Sequence, residues 1–256
     1  VQKNILFFTE GMRSPRTKPC ETLVLSGVGV AQREDTPAAI GLAKQQQIER
    51  VILHAGAEAL ATFNPSAFTN LVDLLVIPVQ PASGALVHAG LAIKAAMKAG
   101  IEVATNTVLS SNALPSVMAA ARVLASARPK AVTFTYPFPI SGGATTDIPT
   151  PARAMLALQP AIQVLDSAGV ESIIKGLPAC FLGAHAHRIR RTQNRWYVDA
   201  DHQRDAALLF FPDVVSFHKD EVCRFCGRNQ ECDGFFATYL RRPGFPQLKP
   251  FDLPVI

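Results

Sequence analysis

Three cysteines fall close together near the end of the chain, in Cys223-Arg-Phe-Cys226-Gly-Arg-Asn-Gln-Glu-Cys232-Asp-Gly-Phe-Phe, out of five in the whole sequence. Their spacing, C-x2-C-x5-C, lets three sulfurs converge on one point, and Asp233-Gly234 supplies the turn that folds the chain back. Thiolates clustered this tightly are more often ligands of a metal or cluster than disulfide partners. Cys180, in Gly176-Leu-Pro-Ala-Cys180-Phe-Leu-Gly183, is the natural fourth ligand. Four thiolates satisfy either a tetrahedral zinc or a [4Fe–4S] cluster. Zinc sites usually show two close ligand pairs, whereas here one C-x2-C pair is joined by two more distant cysteines. That spacing suits an iron–sulfur cluster better, with zinc left open. Cys20 stands alone before a strand and is most simply a core residue. His185, His187 and His218 are expected on the surface or in packing, because four cysteines already complete a shell.

Other chemistry is not signalled. The chain has no G-x-S-x-G nucleophile elbow, no G-x-G-x-x-G after a strand and no G-x-x-x-x-G-K-[ST] phosphate loop. The formal net charge of +5 is concentrated at Arg188, Arg190, Arg191 and Arg195 and at Arg224, Arg228, Arg241 and Arg242. Such clusters form a solvated basic face or, in the sharper reading, a surface for an acidic partner. They lack the regular aromatic interleaving that stacking single strands requires, so nucleic acid is not expected. No apolar run reaches the ~18 residues of a membrane span, and the first residues do not form a secretion leader. An odd cysteine count weighted to the last third points to a reduced, cytoplasmic setting.

The cysteines must be positioned by the elements before them. Apolar residues make up 48% of the 256, enough for a large core. Short extended runs are expected at 4–9, Thr22–Ser26, Val51–His54, Asp73–Val79, Ile101–Leu109, Ala131–Tyr136 and Val170–Lys175. Helices are expected at Ala38–Gln47, Ser83–Ala99, Leu114–Ala127 and Pro151–Ala168, with Gly100 and Gly169 at helix ends. Alternation of this kind defines βαβ units and an α/β fold with a parallel sheet, and five or six units without a long break favour a closed or partly closed barrel. After Lys175 the texture changes to polar, arginine-rich and Phe/Asp-rich stretches, ending in a proline-rich extended tail. Residues 1–175 are therefore expected to form the barrel-like domain, and 176–256 an appendage whose small core a metal site would staple.

The cysteine segment, continuing through Tyr239-Leu to Leu248-Lys-Pro250, resembles the auxiliary-cluster tail of radical S-adenosylmethionine (radical SAM) enzymes of the SPASM/twitch type. In that family such a tail follows a partial (β/α)6 TIM-like barrel. Gly176-Leu-Pro-Ala-Cys180-x2-Gly183 is similar to the loop that leaves the barrel and donates a cysteine to the auxiliary cluster. Ile101-Glu-Val-Ala-Thr-Asn106-Thr-Val-Leu, with Asn112 after it, resembles the fifth barrel strand, and Ser26-Gly27 lies where the family carries a Gly-Gly-Glu-Pro turn. The resemblance spans about residues 22 to 252. It implies an auxiliary [4Fe–4S] cluster on Cys180, Cys223, Cys226 and Cys232, cofactor-facing roles for Gly27 and Asn106, and a link to peptide or protein modification or to a partner enzyme.

Two departures accompany it. The family's C-x3-C-x2-C motif, which leaves one iron open for SAM, is absent, and the N-terminal region offers only Cys20. The chain reads Gly27-Val-Gly-Val30 where the family has its glutamate, leaving Glu34 as the nearest substitute. S-adenosylmethionine binding and radical initiation are accordingly doubtful, and whether the chain is an enzyme is left open. The sequence fits a degenerate family member that keeps the barrel and auxiliary cluster, the missing glutamate favouring this. It also fits the C-terminal part of a complete enzyme whose catalytic cluster lies upstream of Val1. A zinc-stapled binding domain without redox chemistry is the alternative from another class.

Overall fold

The computed structural model describes residues 22–26, 29–45, 48–55, 62–81, 85–138, 147–191, 195–199, 208–211, 217–240 and 245–249. The strand expected at 4–9, Cys20, Gly27, the Ser141-Gly142-Gly143 loop and the end of the proline-rich tail lie outside these residues. The chain forms two compact units. One is drawn from Val1–Val79, Gly84–Thr105 and Asn194–Phe211, the other from Gln80–Ser83, Asn106–Gln193 and Pro212–Ile256.

In the first unit, β1 (Thr22–Ser26), β2 (Arg50–His54) and β3 (Leu74–Pro78) are parallel neighbours, with Val24 opposite Ile52 and Leu53 opposite Leu75. The runs Leu23–Leu25 and Val51–Leu53 are fully apolar and buried at every position, as strands covered on both faces require. Between them the chain forms a helix, α1 (Thr36–Gln45), that buries Ala39, Ile40 and Ala43. Asp73 ties these pieces together: its Oδ2 accepts from Lys44 Nζ at 2.8 Å and from the Val51 N–H at 2.7 Å. Helix α2 (Ala85–Lys98) follows β3 and leads to β4 (Val103–Val108), the strand at which the chain leaves this unit.

Two further strands were not foreseen. β7 (Arg195–Asp199) pairs parallel to β1, and β8 (Leu208–Phe211) pairs antiparallel to β7. The strand order within the unit is thus β4-β3-β2-β1-β7-β8. The sequence does not announce β7 and β8, because the apolar runs Trp196-Tyr-Val198 and Leu208-Leu-Phe-Phe211 are short and set among charged residues.

In the second unit, α3 (Val117–Ala127) precedes β5 (Ala131–Thr135), and α4 (Pro151–Ser167) precedes β6 (Glu171–Lys175). β5 and β6 run parallel, Val132 opposite Ser172 and Phe134 opposite Ile174. α3 buries Val117, Ala120, Ala121 and Leu124, and α4 buries Ala154, Leu158, Ala161, Ile162 and Leu165. This helical spacing of small and aliphatic residues gives each helix one apolar stripe, and the two pack together. Thr150 caps α4 by accepting from the Arg153 N–H at 3.4 Å, with Pro151 at its first position. Parallel strands alternating with helices place the chain in the α/β class, as the sequence pattern implied.

Candidate metal centre

Cys180 is delivered by the end of β6. Gly176 turns the chain there at φ 80°, and a Cβ at this position would lie 3.1 Å from the Tyr136 carbonyl oxygen and 3.2 Å from Phe236 Cζ. The next residues, Leu177 and Ala179, are buried, and a 3-10 turn over Ala179–Phe181 carries the cysteine. The chain then runs through a second 3-10 stretch, Gly183–Arg188, and Ile189 bridges back to Ile174 of β6.

The other three cysteines sit in one hairpin connection. Its base is a two-residue antiparallel pair, β9 (Phe217–His218) and β10 (Phe235–Phe236), with His218 opposite Phe235. Between the strands the backbone advances by short turns: Cys223 N–H donates to Asp220 O at 2.9 Å, Cys226 N–H to Cys223 O at 3.1 Å, Asn229 N–H to Cys226 O at 3.0 Å, and Cys232 N–H to Arg228 O at 3.0 Å. The return at Gly234, at φ 91°, admits no side chain, since a Cβ there would stand 2.1 Å from the His218 carbonyl oxygen. Here the turn expected at Asp233-Gly234 has its physical cause.

An aromatic cluster holds this hairpin against the β6 loop. Phe235 meets Phe181 edge-on at 5.5 Å and Tyr136 at 5.8 Å, while Phe236 stacks on Phe217 at 4.9 Å. Helix α5 (Ala237–Leu240) follows β10, and the hydroxyl of its buried Tyr239 donates to Pro137 O at 3.0 Å. The rings of Phe235, Phe236, Tyr136 and Tyr239 are fully buried, so the hairpin is anchored by apolar burial and needs few hydrogen bonds at its base.

Cys180, Cys223, Cys226 and Cys232 line one small pocket, together with Lys219, Asn229, Leu248 and Lys249. All four cysteines are thiols. Among the described residues, no three of His, Cys, Asp and Glu stand close enough to share a single metal ion. A backbone donor already points at one sulfur: Gly234 N–H donates to Cys232 Sγ at 3.3 Å. Burial raises the Cys180 thiol above its ordinary pKa, and the neighbouring Cys232 and Cys223 add to this against the Lys249 hydrogen bond. Burial likewise raises Cys223. Protons on these thiols must leave before the sulfurs can ligate, so a positive ion has to displace them.

Of the arginines expected to form a basic face, Arg188, Arg190, Arg191 and Arg228 are held by carboxylates, while Arg241, Arg242 and the side chain of Arg195 lie outside the described residues. Arg188 donates to Asp166 Oδ2 and Ser172 Oγ, both at 2.7 Å, and Arg190 reaches Glu171 at 3.3 Å. Arg191 bonds the cysteine hairpin itself, at Asp233 Oδ1 (3.0 Å) and Gln230 O (3.4 Å), and Arg228 pairs with Glu231 at 2.6 Å. Arg224 lies over the ring of its neighbour Phe225, 4.8 Å from the centroid. His187 Nδ1 is 3.0 Å from Ala184 O, and His218 Nε2 is 2.7 Å from Asp220 Oδ1. Of the two residues expected to face a cofactor in the barrel, Gly27 lies outside the described residues. Asn106 is half-buried on β4, where its Oδ1 accepts from Thr135 Oγ1 at 2.6 Å, and it does not line the thiol pocket. Glu34 is exposed before α1. Lys219 and Asn229 carry no signal in the sequence, since they meet only through contacts that no motif encodes. Compared with known proteins, the chain matches no family model and no curated protein.

Proposed function

We propose that this chain is a radical SAM-like iron–sulfur protein that binds one auxiliary [4Fe–4S] cluster through Cys180, Cys223, Cys226 and Cys232. The carrying observation is that a cysteine from the β6 loop and three from the β9–β10 hairpin line a single pocket. A cluster has four irons, each taking one thiolate, so its ligands surround a volume. A lone zinc would draw all four sulfurs to about 2.3 Å of one point. The Gly234 N–H aimed at Cys232 Sγ supports the same reading, because hydrogen bonds of this kind stabilise thiolate ligands and tune the cluster.

A [4Fe–4S] cluster supplies one-electron transfer at a potential set by its charge, its hydrogen bonds and its exposure. With four protein thiolates no iron is left open for substrate, so the site serves electron transfer or structure. The chain's own residues hold it: Gly234 and Gly176 allow the two loops to approach, the aromatic cluster fixes them, and Arg191 braces the hairpin from outside. In this reading β1–β6 form a partial barrel of the radical SAM type and the cysteine-bearing segments a twitch-like extension, supported by the run of β1, β2 and β3 as neighbours in one unit and β5 and β6 in the other. The partner is a peptide or protein substrate, or an enzyme that modifies one.

Anaerobic reconstitution tests this. The protein should turn brown and carry about four irons per chain, and Cys226→Ala should lose them while Cys20→Ser keeps them. A colourless protein with one zinc per chain would overturn the reading in favour of a zinc-stapled binding domain.

A further inference from the structure

Lys219 reaches across the mouth of the cysteine hairpin. Its ammonium donates to Asn229 O at 2.7 Å and to Asn229 Oδ1 at 2.9 Å. Its stem lies over Gly234, where a Cβ would come within 2.8 Å of Lys219 Cγ. Gly234 therefore makes room for both the hairpin return and this side chain, and Lys219 lines the same pocket as the four thiols. The other cations that grip the hairpin are matched with carboxylates, Arg191 with Asp233 and Arg228 with Glu231. Both of these hydrogen bonds of Lys219 go to neutral oxygens, which hold the ammonium in place without cancelling its charge.

We infer that Lys219 is a positioning residue that sets the reduction potential of the bound cluster, its fixed positive charge favouring the reduced state. The inference rests on the cluster reading above. Four thiolates leave the cluster net negative, and reduction adds one more negative charge. A nearby cation that no carboxylate neutralises stabilises the reduced form more than the oxidised one, which raises the potential.

The test is a redox titration of the anaerobically reconstituted protein, following the visible absorbance and the electron paramagnetic resonance signal. Lys219→Met keeps the stem over Gly234 and removes the charge, and Lys219→Arg keeps the charge. At equal iron content, the Met variant should favour oxidation by roughly three- to tenfold, a midpoint lower by ~30 to ~60 mV for one electron, with the Arg variant near wild type. A Met variant that titrates with wild-type protein, or a shift seen in Lys249→Met and not in Lys219→Met, would overturn the inference. If Lys219→Met fails to load, Lys219→Gln, which also removes the charge, is titrated in its place; its midpoint should likewise lie below wild type, and a midpoint equal to wild type overturns the inference. Failure of the wild-type protein to assemble a cluster would instead refute the parent reading.

Discussion

At the scale of single residues, the centre depends as much on two glycines as on the cysteines. Cysteine supplies the donor, but Gly234 supplies the only backbone that brings Cys232 back beside β9 without striking the His218 carbonyl. Gly234→Ala combines a left-handed φ with a contact of 2.1 Å, so it should destabilise the protein by well over the ~1 kcal/mol that a Gly-to-Ala change costs at a merely strained φ. Thermal unfolding together with iron retention checks this: both should fall, whereas an alanine variant of unchanged stability and iron content would show that the return is not built as described. The four thiol positions were legible in the sequence because cysteine is rare here and its spacing is regular. Lys219, Asn229 and the Gly234 N–H donor to Cys232 were not, since a lysine and an asparagine ten residues apart in a polar loop carry no pattern until the loop is closed.

Legibility at the scale of elements follows length and context. β1 to β6 and the helices between them were readable because buried parallel strands are short continuous apolar runs and the helices carry one apolar stripe each. The boundaries moved by a few residues, as where the expected helix from Leu114 begins with a 3-10 turn over Leu114–Ser116 before α3 starts at Val117. β9 and β10 are two residues each, too short for any periodicity to show, and β7 and β8 owe their pairing to a neighbour distant in sequence. Joints between elements give a pH prediction. Asp73 is partly desolvated, which raises its pKa, but the Lys44 hydrogen bond and the Val51 N–H outweigh this and its pKa ends lowered. Its ionised form therefore stabilises the fold above the unfolded carboxyl value of ~3.9, and the contribution is lost as pH falls through the lower folded value. Because the pair is partly exposed, the effect is under ~1 kcal/mol. Urea midpoints of Asp73→Asn, which keeps an acceptor for Val51, should lie below wild type at pH 7 and converge with it in strong acid. A constant gap across that range would contradict the account.

Considered whole, the molecule joins an apolar α/β framework to a polar loop that has little core of its own beyond the aromatic cluster. No helix among the described residues is long and apolar enough to cross a membrane, and three of the arginines that dominate the net positive charge, Arg188, Arg190 and Arg191, are engaged in ion pairs. A ligand that binds only the folded hairpin stabilises it by mass action. On the proposed reading, loading the cluster should lower amide exchange across Phe217–Leu240 far more than in β1–β3, and uniform exchange in apo and reconstituted protein would show that the centre is not a staple. The most direct measurement is a count of iron, acid-labile sulfide and zinc in one anaerobically reconstituted sample. The account predicts about four irons with matching sulfide and little zinc; one zinc per chain with neither iron nor sulfide would contradict it.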